Sequence, residues 1–127
     1  MARAGATTTA SDVAPDCLFC AIADGRVPSD QLYADERVVA FRDIAPKSPV
    51  HVLVISRDHI ASAADLTDDH ADLLGRVFAV GAEVARREGV AYSGYRIVTN
   101  IGGQGGQTVN HLHFHVMGGR PFSWPPG

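Results

Sequence analysis

Three histidines alternate with apolar residues in N-H-L-H-F-H-V-M, Asn110 to Met117. The chain has six histidines in all, so half of them fall within this one stretch. Strand side chains alternate between faces, which predicts His111, His113 and His115 on one face and Leu112, Phe114 and Val116 in the core. Imidazole titrates near neutrality; the neutral ring is a nucleophile and the protonated ring a charged donor. Alternate positions lie about 7 Å apart along a strand. That spacing suits an extended anion such as a phosphate ester, with one ring attacking and others on the phosphoryl oxygens. The same residues allow another chemistry. Two histidines at i and i+2 with a third from elsewhere can hold a catalytic zinc ion, and His111, His113 and His51 supply such a set. The plainest alternative is a row of exposed strand residues. The strand pattern alone does not separate a histidine nucleophile from a metal hydrolase.

Two further clusters bear on chemistry. Gly102, Gly103, Gly105 and Gly106 precede the histidines, and their amides can form a concave nest for phosphate. Gln107 and Thr108 add donors. A hairpin loop needs glycine for its turn as well, but this loop leads directly into the histidine strand. At the other end, Cys17 and Cys20 are the only cysteines and form one C-x-x-C. In a reducing compartment that pattern indicates a metal or redox pair more than a disulfide.

These groups need a scaffold. Asp16 is placed to cap a short helix from Cys17 to about Ala23, stopped by Gly25, with Leu18, Phe19 and Ile22 on one face. Strands are predicted at Gln31 to Ala34 and Val38 to Asp43, with Asp35 and Glu36 turning between them. His51 to Ile55 is apolar on both faces apart from His51, as in a central strand. Thr67 should begin a long helix with Leu74, Val77, Phe78, Gly81, Val84 and Ala85 inward and Gly89 as its stop. Tyr95 to Asn100 is a further strand, and the proline-rich end from Pro121 should be extended. The fold class expected is α+β: a mainly antiparallel sheet with one long and one short helix.

The chain has 127 residues, enough for one domain, and 46% of them are apolar. The Ala- and Thr-rich residues 1–14 are expected to form a disordered tail, and 15–127 the domain, with 118–127 as its C-terminal tail. No run approaches the roughly 20 apolar residues of a membrane span, and the start lacks the apolar block of a signal peptide. A cytoplasmic protein is therefore expected. With a net charge of -3 and no basic stripe, nucleic acid is not an expected partner.

N-H-L-H-F-H-V-M resembles the signature of the histidine triad (HIT) family. The resemblance extends from Cys17 to Gly127 through C-L-F-C, A-F-R-D-I, H-V-L-V-I, G-G-Q-T-V and W-P-P-G. The ending, with G-G-R before it, is similar to the Hint branch rather than to the Fhit or uridylyltransferase branches. The resemblance implies a homodimer that binds purine nucleotides and hydrolyses nucleoside 5′-phosphoramidates, such as AMP joined to an amine, through a nucleotidyl-histidine. It implies no cofactor for catalysis. His113 matches the family's nucleophile, His115 the residue beside the phosphate and His51 a fourth histidine near it. Asp43 and Ile44 match positions that hold ribose and base. Asn100, Gly106, Gln107 and Thr108 match the phosphate-side loop, and Leu18, Phe19, Phe41 and Leu53 the apolar base pocket. Trp124 lies in a tail resembling one that reaches towards the partner subunit's site.

In several bacterial relatives of this family, residues matching Cys17, Cys20, His59 and His111 bind zinc. Two cysteines and two histidines make a closed tetrahedral set, so such zinc would be structural. Two positions depart from the family pattern. Thr108 stands where serine is usual and keeps the hydroxyl; Asn110 stands where an aromatic residue is usual. Other readings are a Fhit-like dinucleoside polyphosphate hydrolase, a nucleotide-binding interaction module, and a zinc hydrolase.

Overall fold

The computed structural model describes residues 16–127. The expected disordered tail, Met1 to Ala14, lies outside the described residues. The first described element is a short helix, α1 (Leu18–Ala23). Strands β1 (Gln31–Ala34), β2 (Val38–Arg42) and β3 (Val50–Ser56) follow, then the long helix α2 (Ala71–Arg87) and strands β4 (Tyr95–Val98) and β5 (His113–Gly118). The five strands form one sheet in the order β1-β2-β3-β5-β4, and every neighbouring pair is antiparallel. This is the α+β architecture expected. No described helix is long and apolar enough to cross a membrane.

Strand alternation divides the sheet into two packed faces. Val38, Ala40, Val52, Val54, Phe114 and Val116 face α2, where Leu73, Val77, Val80 and Val84 complete the main core. Gly81 allows the close approach: a Cβ there would lie 3.2 Å from Ile97 Cδ1. Val39, Phe41, Leu53 and Ile55 occupy the other face and pack against Phe19, Ile22 and Ala23 of α1. The central position expected for β3 follows from this, since it is apolar towards both layers. Asp35 makes the β1–β2 turn by accepting from the amides of Arg37 at 2.7 Å and Val38 at 2.9 Å.

Several local expectations need correction. The cap of α1 is Cys17, not Asp16: Cys17 Sγ accepts from the Cys20 amide at 3.2 Å. Thr67 caps a 3-10 turn at Asp68–His70, and the α-helix begins only at Ala71. The inward stripe keeps Val77, Gly81, Val84 and Ala85 and adds Leu73 and Val80. Phe78 is 49% exposed and reaches the core only by its edge on Phe114. β4 stops at Val98, and β5 begins at His113, so His111 stands in the bend before the strand. Gly118 ends β5, so the C-terminal tail leaves the sheet one residue later than expected.

Candidate functional site

β5 places His113 and His115 on the α1 face, because Phe114 and Val116 take the other. Register completes the group. Leu53 lies opposite His115 and His51 opposite Met117, so His51 comes up beside His115 on the same face. The histidine face is not open: α1 roofs part of it, and Phe19 packs its edge on His113 with centroids 5.1 Å apart. His113 is only 5% exposed. The rings of His113 and His115 are also 5.1 Å apart, closer than a flat strand would set them.

Hydrogen bonds assign the tautomers. A carbonyl oxygen can only accept, so His113 Nδ1, 2.6 Å from the His111 carbonyl, carries the proton. In the neutral ring, Nε2 is then the nitrogen that carries the lone pair. Lys47 N–H donates to His51 Nδ1 at 3.0 Å, so the His51 proton sits on Nε2. That Nε2–H meets His115 Nδ1 at 2.8 Å and Asp43 Oδ2 at 3.5 Å, and the nearer acceptor takes it. His115 is thereby left with Nε2–H as a donor. Burial holds His115 down to about 4, helped by His113 and His51 beside it. Burial also lowers His51, against the pull of Asp43. Both rings are neutral at pH 7.

His113 and His115 stand at one end of a cleft of about 300 Å³. Of the residues expected to bind nucleotide, Leu18, Phe19, Phe41, Asp43, Ile44, Leu53, Thr108, His113 and His115 all line it. Ile44 is 99% exposed at its rim. Sequence reasoning missed Ile22, Val27, Pro28, Ser29, Arg42 and Val109, which also line it. Ile22 shared the α1 stripe with Phe19, a signal that could have found it; the segment before β1 carried none. Asn100, Gly106, Gln107 and Trp124 are not among the lining residues. Trp124 is 82% exposed.

The glycine loop is largely closed on itself. Gly106 and Gln107 amides bond the carbonyls of Gly103 and Gly102, and the Gly102 amide bonds Gln107 Oε1. Asn100 Nδ2 donates to the Gly105 carbonyl, and Gln107 Nε2 donates to the carbonyls of Ala61 and Val109. A Cβ on Gly105 would overlap the Ile101 carbonyl, so glycine there serves the turn. Two of the four glycine amides expected in a phosphate nest, those of Gly102 and Gly106, are thus already paired, as is the Gln107 amide.

Cys17, Cys20, His59 and His111 form a second cluster, with all four ligand atoms within 4.8 Å of one another. His111 Nδ1 lies 3.2 Å from Cys17 Sγ and 3.4 Å from Cys20 Sγ, and His59 Nδ1 lies 3.4 Å from Cys20 Sγ. Zinc bonds in a tetrahedron would separate sulfur from nitrogen by about 3.6 Å. The His111 tautomer suits ligation: its Nε2–H donates to the Ser56 carbonyl at 2.6 Å, leaving Nδ1 bare towards the thiols. His111 is fully buried, and burial lowers it to about 4, so the ring is neutral as a ligand must be. The residues present fit a closed zinc site.

The catalytic zinc set considered from sequence does not assemble. His111 belongs to the cysteine cluster, whereas His51 joins His115 and Asp43. The latter trio is also close enough for a metal, but the Lys47 amide keeps the His51 proton on Nε2, the nitrogen a metal would need.

A family model described as "Scavenger mRNA decapping enzyme C-term binding" matches residues 16–122. A purine nucleoside phosphoramidase of Escherichia coli K12 is 42% identical over 109 residues, covering 86% of this chain and 92% of that protein. A 14 kDa zinc-binding protein of Brassica juncea is 44% identical over 114 residues, 88% of this chain and 100% of that one. Among solved structures, a HIT family hydrolase from Legionella pneumophila superposes with a TM-score of 0.86 at 44% identity, covering 88% of this chain and all of that chain.

Proposed function

We infer the function from one premise: the chain belongs to the histidine triad (HIT) family and shares the fold of its hydrolases. The reaction is hydrolysis of adenosine 5′-phosphoramidates to AMP and an amine. One observation carries this reading: His113 Nδ1–H is committed to the His111 carbonyl, so in the neutral ring Nε2 is the nitrogen left to act as nucleophile. It attacks the α-phosphorus, and the phosphorus–nitrogen bond breaks as the amine leaves with a proton. Water then cleaves the nucleotidyl-histidine to AMP. The proton it releases balances the one taken by the amine, and His113 ends neutral.

The other residues take supporting roles. His115 donates Nε2–H to a phosphoryl oxygen, in a cleft whose burial strengthens the bond. His51 fixes the His115 tautomer and is a positioning residue. Thr108 offers its hydroxyl at the phosphate end, and Gly106, Gln107 and Asn100 hold closed the loop that leads to it. Asp43 has Oδ1 on the Ala45 amide at 2.9 Å and takes the ribose hydroxyls with Oδ2. Leu18, Phe19, Phe41, Ile44 and Leu53 hold the base. The exposed Ile44 and Trp124 support a site completed in a homodimer.

Cys17, Cys20, His59 and His111 hold structural zinc. When bound, zinc supplies a cross-link between α1 and the start of β5, with no open position for chemistry. Catalysis needs no cofactor. A reducing cytoplasm keeps the thiols available.

Turnover of adenosine 5′-phosphoramidate by wild type and by folded His113→Ala tests the proposal. Wild-type turnover with near-complete loss in the variant supports it. Activity retained in His113→Ala contradicts the nucleophile, and an inactive wild type that binds AMP favours a binding module.

A further inference from the structure

Among the described residues, the one buried side-chain polar atom without a hydrogen-bond partner is Ser29 Oγ. Such an atom is unfavourable unless something meets it. Ser29 lines the cleft, in the company of the carbon-only side chains of Ile22, Val27, Pro28 and Phe41. The other polar group there is Arg42, whose guanidinium is held by Asp30 at 3.0 Å and Glu88 at 2.8 Å. Ser29 is therefore the group at this end with hydrogen-bonding capacity to spare.

Strand register locates that end. His115 lies opposite Leu53, Leu53 opposite Phe41, and Phe41 opposite Gln31. The chain entering β1 stays beside β2, since the Arg42 amide donates to the Asp30 carbonyl at 2.9 Å. Three strand spacings thus separate Ser29 from the histidines, about 14 Å of sheet. A nucleoside monophosphate is elongated, with phosphate and base at opposite ends. With its phosphate at His115 and its ribose at Asp43, its base extends towards Ser29.

We propose that the Ser29 hydroxyl reads the polar edge of the purine base. This rests on the nucleotide reading of the cleft given above. Rotation about the Cα–Cβ bond moves Oγ between staggered positions, and a hydroxyl both donates and accepts. It can therefore pair with the N7 acceptor or with the 6-amino group of the base. The apolar walls select a flat ring by shape; Ser29 adds the one contact that distinguishes polar atoms on its edge.

The test is calorimetric binding of AMP, purine riboside 5′-monophosphate and 7-deaza-AMP to wild type and Ser29→Ala, with melting curves of both free proteins. The two analogues lack the 6-amino group and the N7 acceptor respectively. Ser29→Ala should weaken AMP binding about five- to tenfold, the worth of one neutral hydrogen bond. The loss should fall below about twofold for one analogue, as expected when both sides of a single contact are removed. The free variant should melt no lower than wild type, because the hydroxyl has no partner to lose. Steady-state kinetics should place the change in KM with kcat retained. Unchanged AMP binding, or an equal loss for all three ligands, would overturn the role of Ser29 and leave the nucleotide reading standing. Failure of wild type to bind AMP would overturn both.

Discussion

On the proposed mechanism, His51→Ala should separate the positioning histidine from the reacting one. His51 accepts from Lys47 N–H and donates to His115 Nδ1 at 2.8 Å, which fixes the His115 proton on Nε2, towards the cleft. Removing the ring leaves His115 free to exchange tautomers. The lost bond joins two neutral groups, worth about 1 to 1.5 kcal/mol net. At about 1.4 kcal/mol per decade, kcat/KM should fall about five- to tenfold. On the same mechanism, His115→Ala removes a donor to the developing charge and should cost about 10²- to 10³-fold. There is a second readout. Burial and the neighbouring His113 and His51 hold His115 near 4. Deleting His51 removes one neighbour and admits water, so the His115 titration should move up towards 6.5 in an NMR pH series. Steady-state kinetics and that series should agree. A loss in His51→Ala as large as in His113→Ala would refute the relay, as would an unmoved His115 titration.

Three other outcomes follow from the same geometry. Because burial lowers His115 to about 4, and lowers His51 in the same direction, the folded chain binds fewer protons than the unfolded one as pH falls below about 6.5. The stabilisation is complete above 6.5 and is lost as pH falls, with the His115 share gone below about 4; thermal melts of metal-free protein across that range would show the decline. Zinc should bind one per chain, and chelation should lower Tm on the order of 10 °C while Cys20→Ser abolishes the site; elemental analysis and calorimetry check this. Leu112→Ala empties a buried site between the sheet and α2 and should cost about 2 to 5 kcal/mol in denaturant unfolding.

Periodic features were legible in the sequence because period reports which face is buried. The alternation of Leu112, Phe114 and Val116 put His113 and His115 on the opposite face, and the two-sided run around Val52 to Ile55 marked the central strand. Local competition was harder to read. Cys17 displaced Asp16 as a cap because its thiol faces the Cys20 amide, a preference no propensity records. Thr67 looked like a helix start, yet the first turn is 3-10, and the inward stripe of the helix that follows also takes in Leu73 and Val80. The glycine loop illustrates the limit of composition: its glycines accommodate a compact turn closed by Gln107, a tertiary detail invisible in the run itself. Ser29 lay in a segment without period, and its place in the cleft comes only from pairing beside β2.

The central claim is that His113 forms a covalent bond to phosphorus. Mass spectrometry of an acid-free quench, taken during single turnover of adenosine 5′-phosphoramidate, measures it directly. The account predicts an adenylyl increment on the peptide containing His113, appearing and decaying within the turnover and absent from His113→Ala. Full turnover with no adduct at any time, or the same adduct on another residue, would contradict it.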